Sequence, residues 1–184
     1  VIGAGPAGLM AAEVLLQAGV EVDLFDAMPS VGRKLLLAGI GGLNLTHSEA
    51  PAPFLQRYAQ GARHLQPMLE AFDGPALRQW AAELGVETFV GSSGRVFPAS
   101  FKSSPLLRAW LARLSRLGVT IATRHAFVGF VGDGVLRLKG PDGGDIIRAV
   151  EGPLATVQGE PADELDYADD AKPLQEVWIA LRAH

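Results

Sequence analysis

The spacing of apolar residues changes twice at the start of the chain. A short apolar run is followed by helical spacing, and then by alternation of apolar with polar residues. Val1 and Ile2 precede a glycine-rich turn, and apolar side chains recur at helical intervals from Leu9 to Leu16, before Gly19. From Val20 to Asp26, apolar and polar residues alternate. The pattern predicts strand, turn, helix and strand, which together form a βαβ unit with parallel strands.

The later pattern predicts two further helices and several short strands. One helix covers Pro75 to Leu84, and the other has Ser104 as its N-cap and Pro105 at its first position. Trp80 and Trp110 lie on the apolar faces of these helices and are expected in the core. Strands are expected at Val86 to Val90, Val119 to Thr123, Ala126 to Val131, Val135 to Lys139 and Asp145 to Val150. The predicted fold class is α/β, a Rossmann-like domain with a parallel sheet and an appended β-meander.

Charge divides the 184-residue chain into two parts. Residues 1–150 hold 14 basic and 12 acidic groups, whereas residues 151–184 hold 2 and 8, with three prolines. We therefore expect a Rossmann-like domain over 1–150 and an acidic tail or appendage over 151–184. The chain opens on Val1 with a very short first strand, so we also expect an incomplete domain.

Composition narrows the classes of function. The chain has no cysteine, so disulfides, thiolate metal ligands and cysteine nucleophiles are excluded. Its four histidines lack metal-ligand spacing, and we expect no metal site. A net charge of −4 gives no reason to expect a nucleic acid or an anionic membrane as partner. With no long apolar run and no signal peptide, the expectation is a cytoplasmic protein acting on a small-molecule substrate, its oligomeric state undetermined.

A glycine motif supplies the first chemistry. Gly3, Gly5 and Gly8 form G-x-G-x-x-G between a predicted strand and a predicted helix, the context in which this motif binds a dinucleotide. Gly3 allows the tight turn, Gly5 lets the backbone approach a pyrophosphate, and Gly8 lets the helix pack closely on the sheet. Asp26, 18 residues after Gly8, ends the second strand where a carboxylate accepts hydrogen bonds from ribose hydroxyls.

The motif leaves NAD and FAD open as cofactors. A carboxylate at Asp26 would repel a 2′-phosphate, which disfavours NADP at this site. The segment from Gly32 to His47 carries two cations, three glycines within four residues, and an asparagine and a threonine able to form hydrogen bonds. This composition suits an extended cofactor held by a second loop, and so favours FAD.

Three segments resemble one family. VIGAGPAGLMAA, GRKLLLAGIGGLNLTH and SSGRVFPASFKSSPLLRAWLARL are similar to the BaiN-like (YhiN-like) NAD(P)/FAD-dependent oxidoreductases, also called aminoacetone oxidase family FAD-binding proteins. The resemblance covers roughly residues 1–140, and its second and third motifs are the more specific ones. Family members commonly have Ser or Thr at Ala38 and Arg-Cys at Gly42-Leu43, so the chain resembles a divergent subgroup.

The resemblance implies the FAD-binding portion of a flavoprotein oxidoreductase, with NAD(P)H as a candidate electron donor. The implied FAD contacts are Gly3, Gly5, Pro6, Ala7, Gly8, Asp26, Arg33, Lys34, Gly39, Gly41, Asn44 and Thr46, with Phe127 beside the adenine. No catalytic residue is assigned. Two alternatives are an NAD-dependent dehydrogenase domain and a non-catalytic dinucleotide-binding module.

Overall fold

The computed structural model describes residues 1–132 and 134–149, and the backbone of residues 154–155 and 179–180. The helices are α1 (Pro6–Gln17), α2 (Arg33–Ala38), α3 (Pro51–Gln56), α4 (Ala62–Ala71), α5 (Gly74–Glu83) and α6 (Ser103–Arg116), with a 3₁₀ turn at Ala59–Gly61. The strands are β1 (Asp23–Asp26), β2 (Thr46–His47), β3 (Thr88–Val90), β4 (Arg95–Pro98), β5 (Thr120–Thr123), β6 (Ala126–Gly132), β7 (Val135–Lys139), β8 (Asp145–Ala149), β9 (Leu154–Ala155) and β10 (Ile179–Ala180).

The chain divides into two compact units. The first, the nucleotide unit, joins Val1–Arg33 to Leu114–His184, and the second, the middle unit, is Lys34–Arg113. The expected acidic appendage lies outside the described residues, apart from the antiparallel pairing of β9 with β10. Among the described residues, no helix is both long and apolar enough to cross a membrane.

A parallel arrangement of strands forms the centre of the nucleotide unit. β1 pairs in parallel with β5, from Asp23 opposite Thr120 to Asp26 opposite Thr123. On the other side of β1, Ile2 forms a parallel bridge with Phe25, in which Gly3 N–H donates to the Phe25 carbonyl at 2.7 Å. The predicted turn, helix and parallel strand are therefore present, and the predicted first strand consists of the single bridge at Ile2.

The nucleotide unit also contains a three-stranded antiparallel sheet in the order β6–β7–β8. This sheet is the predicted β-meander. The register of β6 shifts at two places, and Gly129 between them has φ +153°, a backbone conformation that favours glycine. The core of the unit consists of apolar side chains from the helix and both sheets, including Leu9, Leu24 and Leu138, each with no exposed surface.

The middle unit combines helices with a small antiparallel sheet of order β2–β4–β3. Trp80 on α5 and Trp110 on α6 meet edge to face, with ring centroids 4.7 Å apart. Both side chains are buried, so their expected place in the core is confirmed. Leu106, Leu107 and Val96 of the same unit are also buried.

Three helices end in the same way, and this corrects three predicted strand starts. Gly19 has φ +80°, its amide bonds to the Leu16 carbonyl, and the following Val20 amide bonds to the Leu15 carbonyl. This pair of hydrogen bonds is the Schellman motif, in which a glycine in the left-handed region closes a helix. The same pattern recurs at Gly85-Val86 and Gly118-Val119. Each valine amide therefore belongs to a helix end, and β1, β3 and β5 begin one to three residues later than predicted.

Other elements also differ from the predictions. α6 begins at Ser103, so Ser104 is not its N-cap; Pro105 fits because the first-turn amides need no intrahelical acceptor. Residues 33–38, expected within a loop, form α2. The segment 51–71 had no predicted helix, yet it forms α3 and α4. Pro53 and Pro67 masked the helical pattern there, because each proline lowers helix propensity.

The tryptophan pair gives a direct test of the middle core. Trp110→Ala should lower the free energy of unfolding by about 3–5 kcal/mol, because it removes a buried aromatic and leaves a cavity beside Trp80. Val14→Ala, at a side chain that is 57% exposed, should change it by less than about 0.5 kcal/mol. Urea unfolding followed by circular dichroism measures both. Equal effects of the two substitutions would contradict this account of the core.

Candidate dinucleotide-binding site

The turn between the first strand and α1 is built to present backbone amides. Gly5 is the N-cap of α1 with extended backbone, Pro6 stands at the first position, and Leu9 N–H is the donor to the Gly5 carbonyl, at 2.9 Å. Helix geometry therefore leaves the Ala7 and Gly8 amides without an intrahelical acceptor. These amides and the positive end of the helix dipole suit a negatively charged group such as a phosphate.

The three glycines of the turn meet different surroundings. A Cβ on Gly8 would overlap the carbonyl oxygen of Gly3, so α1 approaches the first strand more closely than any side chain would allow. A Cβ on Gly5 would meet no atom within 4 Å, so the space in front of Gly5 is open. Gly3 has φ +93°, which favours glycine. The turn at Gly3 and the close packing at Gly8 are therefore present, and the pyrophosphate contact at Gly5 stays a prediction.

Asp26, at the end of β1, is joined to the turn by its carboxylate. Its Oδ2 accepts a hydrogen bond from Ala4 N–H at 2.6 Å, and its Oδ1 accepts one from Met28 N–H at 2.7 Å. Each carboxylate oxygen can accept a further hydrogen bond. Asp26 is only partly buried, which leaves those lone pairs accessible to hydroxyl groups.

The remaining predicted contacts in the nucleotide unit are Arg33 and Phe127. Gly32 N–H is the donor to the Ala4 carbonyl at 2.8 Å, so the start of α2 is held beside the glycine turn and Arg33 follows directly. The Arg33 side chain is exposed. Phe127 lies on β6 with its ring 5.3 Å from that of Phe130. The structure brings the glycine turn, Asp26 and the first residue of α2 together.

The other predicted contacts belong to the middle unit. Lys34 and Gly41 are exposed, as is Asn44, and Thr46 lies in β2. Gly39 has a packing role: a Cβ there would overlap Ser103 Oγ at the start of α6. Sequence reasoning expected a cofactor contact at Gly39 and missed this requirement for a small residue.

Several residues that shape these segments were missed. Met28 N–H donates to the Asp26 carboxylate and Gly32 N–H donates to the Ala4 carbonyl, so both amides hold the segment after β1 beside the turn. Of these two residues, only Gly32 could have been noticed in the sequence, because its φ of +66° favours glycine. Phe101 has φ +58°, rare for a bulky residue, and its carbonyl accepts from Leu43 N–H at 2.8 Å. This bond anchors the glycine segment 39–42 of the middle unit. In the described residues, no group of three or more His, Asp or Glu side chains is placed to hold a metal.

The turn, the helix N-terminus and the strand-end carboxylate define a dinucleotide-binding domain of the Rossmann type. The family model described as "HI0933-like protein Rossmann domain" matches residues 1–150, and the chain belongs to that family. This membership confirms the predicted α/β fold class and the prediction of FAD as cofactor: the chain is an FAD-binding Rossmann domain.

One curated relative matches about half of the chain. The chain is 33% identical over 98 residues to the ribosomal RNA dihydrouridine synthase of Haemophilus influenzae, a match over 53% of this chain and 24% of that protein. The chain thus spans about a quarter of that relative.

Solved structures share the fold. The 3-ketosteroid-delta4-(5alpha)-dehydrogenase from Rhodococcus jostii RHA1 matches with a TM-score of 0.53 and 16% identity, over 80% of this chain and 43% of that one. A flavocytochrome c3 fumarate reductase in its open conformation matches with a TM-score of 0.50 and 18% identity, over 79% and 30%. At these identities, the likeness concerns the fold alone.

The residues of the turn fit FAD. Gly5 leaves open space for a pyrophosphate, the Ala7 and Gly8 amides are oriented as donors, and Asp26 supplies acceptors for ribose hydroxyls. The individual contacts remain predictions, and two of them are directly testable.

Substitutions at two glycines of the turn should have opposite consequences. Gly5→Val should leave the free energy of unfolding of the cofactor-free protein nearly unchanged, because the space in front of Gly5 is open, but should abolish FAD retention. Gly8→Val should lower the free energy of unfolding by about 3 kcal/mol, because its side chain meets the Gly3 backbone. Thermal unfolding and flavin absorbance measure the two effects. A folded Gly5→Val protein with full FAD content would refute the pyrophosphate site.

Asp26 is expected to act on both stability and binding. Asp26→Ala should lower the free energy of unfolding by about 2 kcal/mol, because the Ala4 and Met28 amides lose their charged acceptor, and should weaken FAD binding about tenfold or more. Asp26→Asn should restore little of either loss, since its side-chain NH₂ group is a donor and would face one of the two backbone amides. Asp23→Ala, at the exposed start of the same strand, is the matched control. Flavin titration with unchanged affinity in Asp26→Ala would remove this residue from the site.

Proposed function

We propose that this chain is the FAD-binding part of an oxidoreductase of the BaiN-like subgroup that acts on a small-molecule substrate. The observation that carries the proposal is the open glycine turn at Gly5 with the Asp26 carboxylate fixed beside it. The second and third sequence motifs, over 32–47 and 92–114, support the subgroup. Bound FAD would supply hydride or electron transfer, and NAD(P)H is the proposed donor.

In this proposal, the residues of the nucleotide unit bind FAD and orient it. The Ala7 and Gly8 amides hold the phosphates, where the helix dipole adds favourable electrostatics. The Asp26 oxygens accept from the adenosine ribose while the Ala4 and Met28 amides keep the carboxylate in place. Arg33 offers a cation at the start of α2, beside the turn. These side chains position the cofactor, and no proton transfer is assigned to them.

A second candidate substrate is a uracil base in ribosomal RNA. The Haemophilus relative is named for the synthesis of dihydrouridine in ribosomal RNA, and the 33% identity over 98 residues favours a related reaction. Forming dihydrouridine saturates one carbon–carbon double bond of uracil and so consumes a hydride and a proton. A reduced flavin would donate the hydride. The net charge of −4 argues the other way, because RNA binding depends on basic surface.

The proposal predicts a flavoprotein whose cofactor cycles between redox states. The full-length protein should purify with FAD, the released cofactor should be identified as FAD by chromatography, and anaerobic NADH or NADPH should bleach the flavin absorbance. Gly5→Val should purify without flavin, whereas Ser92→Ala, at an exposed turn, should retain it. Recovery of NAD without flavin would favour a simple dehydrogenase domain. Bound FAD that no nicotinamide or dithionite reduces would favour a non-catalytic module.

The two candidate substrate classes can be distinguished by which compound reoxidises the reduced flavin. The pre-reduced protein should be reoxidised anaerobically by members of a small-molecule panel of quinones, ketones and enones, under the first proposal. Reoxidation by uridine-containing ribosomal RNA, with dihydrouridine found by mass spectrometry of the digested RNA, would establish the second candidate and overturn the first. RNA in which the uridines are already saturated is the matched control substrate.

A further inference from the structure

The middle unit contains a large cavity that is partly open to solvent. Its volume is about 1120 Å³, and it is lined by β2, the segment after it, and parts of α3, α4 and α5, with contributions from β3 and β4. Much of its wall is apolar, formed by residues such as Pro51, Phe54, Leu55, Leu69 and Val96. The volume is that of a site for a small organic molecule.

One arginine lines this cavity, and among the described residues no anionic side chain forms an ion pair with it. Arg78 on α5 is half-buried and lines the wall. Its Nε–H donates to Thr88 Oγ1 at 3.0 Å and its Nη2 donates to the Thr88 carbonyl at 3.4 Å. Within the described part of the chain, no carboxylate forms an ion pair with Arg78. The guanidinium is therefore held in a fixed orientation by neutral oxygens, with its other N–H groups available.

The acidic side chains of the wall each have a donor already. Glu49 forms an ion pair and a hydrogen bond with Arg57, and this bond raises the pKa of the Arg57 guanidinium. Glu70 accepts from the Gln66 amide at 2.8 Å. Asp73 caps α5 by accepting from Ala76 N–H at 2.8 Å. Glu70 and Asp73 are thus held by neutral donors, as Arg78 is by neutral acceptors, and Arg78 is the arginine of the wall whose further N–H groups are donors for an anion.

The wall also contains a histidine, His47, whose two ring nitrogens are both engaged. Its Nε2 lies 2.9 Å from the Ser93 carbonyl oxygen, and its Nδ1 accepts from Glu49 N–H at 3.2 Å. These contacts hold the imidazole in place, and its Nδ1 also lies 3.5 Å from the Glu49 carboxylate. Among the described residues of the wall, Arg78 is the arginine with no carboxylate in an ion pair, and it is the group that we expect to recognise an anion.

We propose that this cavity binds an organic monocarboxylate with an apolar body, whose carboxylate pairs with Arg78. A half-buried guanidinium is stabilised by an anion, and a planar carboxylate matches its fork of donors. The apolar wall accommodates the body of the ligand. A phosphate fits less well, because its second charge would lie in a cavity that also holds Glu70 and Asp73. Thr46, one of the implied FAD contacts, also lines this cavity, but carboxylate binding there does not require the proposed oxidoreductase activity.

Calorimetric titration of the FAD-loaded protein tests the proposal with probes that differ only in charge. Naphthaleneacetate should bind at least about tenfold more tightly than the neutral naphthaleneacetamide, because only the former makes charge-assisted hydrogen bonds. Inorganic phosphate should bind more weakly than naphthaleneacetate. Equal binding of acid and amide, tighter binding of phosphate, or no binding of naphthaleneacetate at millimolar concentration would each overturn the proposal.

Substitutions test whether naphthaleneacetate binds at Arg78. Arg78→Gln should weaken naphthaleneacetate binding by about tenfold to a hundredfold while leaving the amide unaffected. Thr88→Val should give a smaller loss, since one of the two bonds that orient Arg78 remains. Arg108→Gln, an exposed arginine of α6 outside the cavity wall, is the matched control. If Arg78→Gln fails to fold by circular dichroism, the comparison of acid with amide in the unaltered protein still decides. An unchanged affinity in folded Arg78→Gln would refute the assignment.

Discussion

The close approach of α1 to the first strand is the constraint on which the nucleotide unit depends. At Gly8 the helix packs against the carbonyl of Gly3 without room for any side chain. That distance sets the direction in which the N-terminal amides of α1 point, and it brings Asp26, at the end of the neighbouring strand, within reach of the Ala4 amide. A larger residue at position 8 would move the helix, and the donors and the acceptor would then no longer converge.

Much of the nucleotide unit could be predicted because its signals are local. A glycine motif, a helical spacing and an alternating strand lie within 26 residues, and each is read from neighbouring positions. The errors at Val20, Val86 and Val119 share one cause. A valine after a glycine suggests a strand, but its amide closes the preceding helix through the Schellman bond. The signal for that motif was present in the repeated Gly-Val pairs, and it was outweighed by β-propensity.

The structure of the middle unit was less predictable, because it depends on contacts between segments that are distant in the sequence. β2 is only two residues long and exists through its pairing with Arg95 and Val96, which lie about fifty residues further on. Gly39 is required by Ser103, and the Arg78 orientation is set by Thr88. No periodicity at 33–47 indicates such partners. The candidate FAD residues of this segment were therefore named by resemblance, and their roles are not deducible from spacing.

The two hydrogen bonds that Asp26 accepts from the backbone have a consequence for the entropy of binding. A surface carboxylate ordinarily loses rotamer freedom when a ligand engages it, and that loss subtracts from the affinity. Here the Ala4 and Met28 amides have already selected one rotamer during folding. An incoming ribose therefore displaces water from an acceptor whose direction is set, and the ordering cost of this side chain belongs to folding and not to binding.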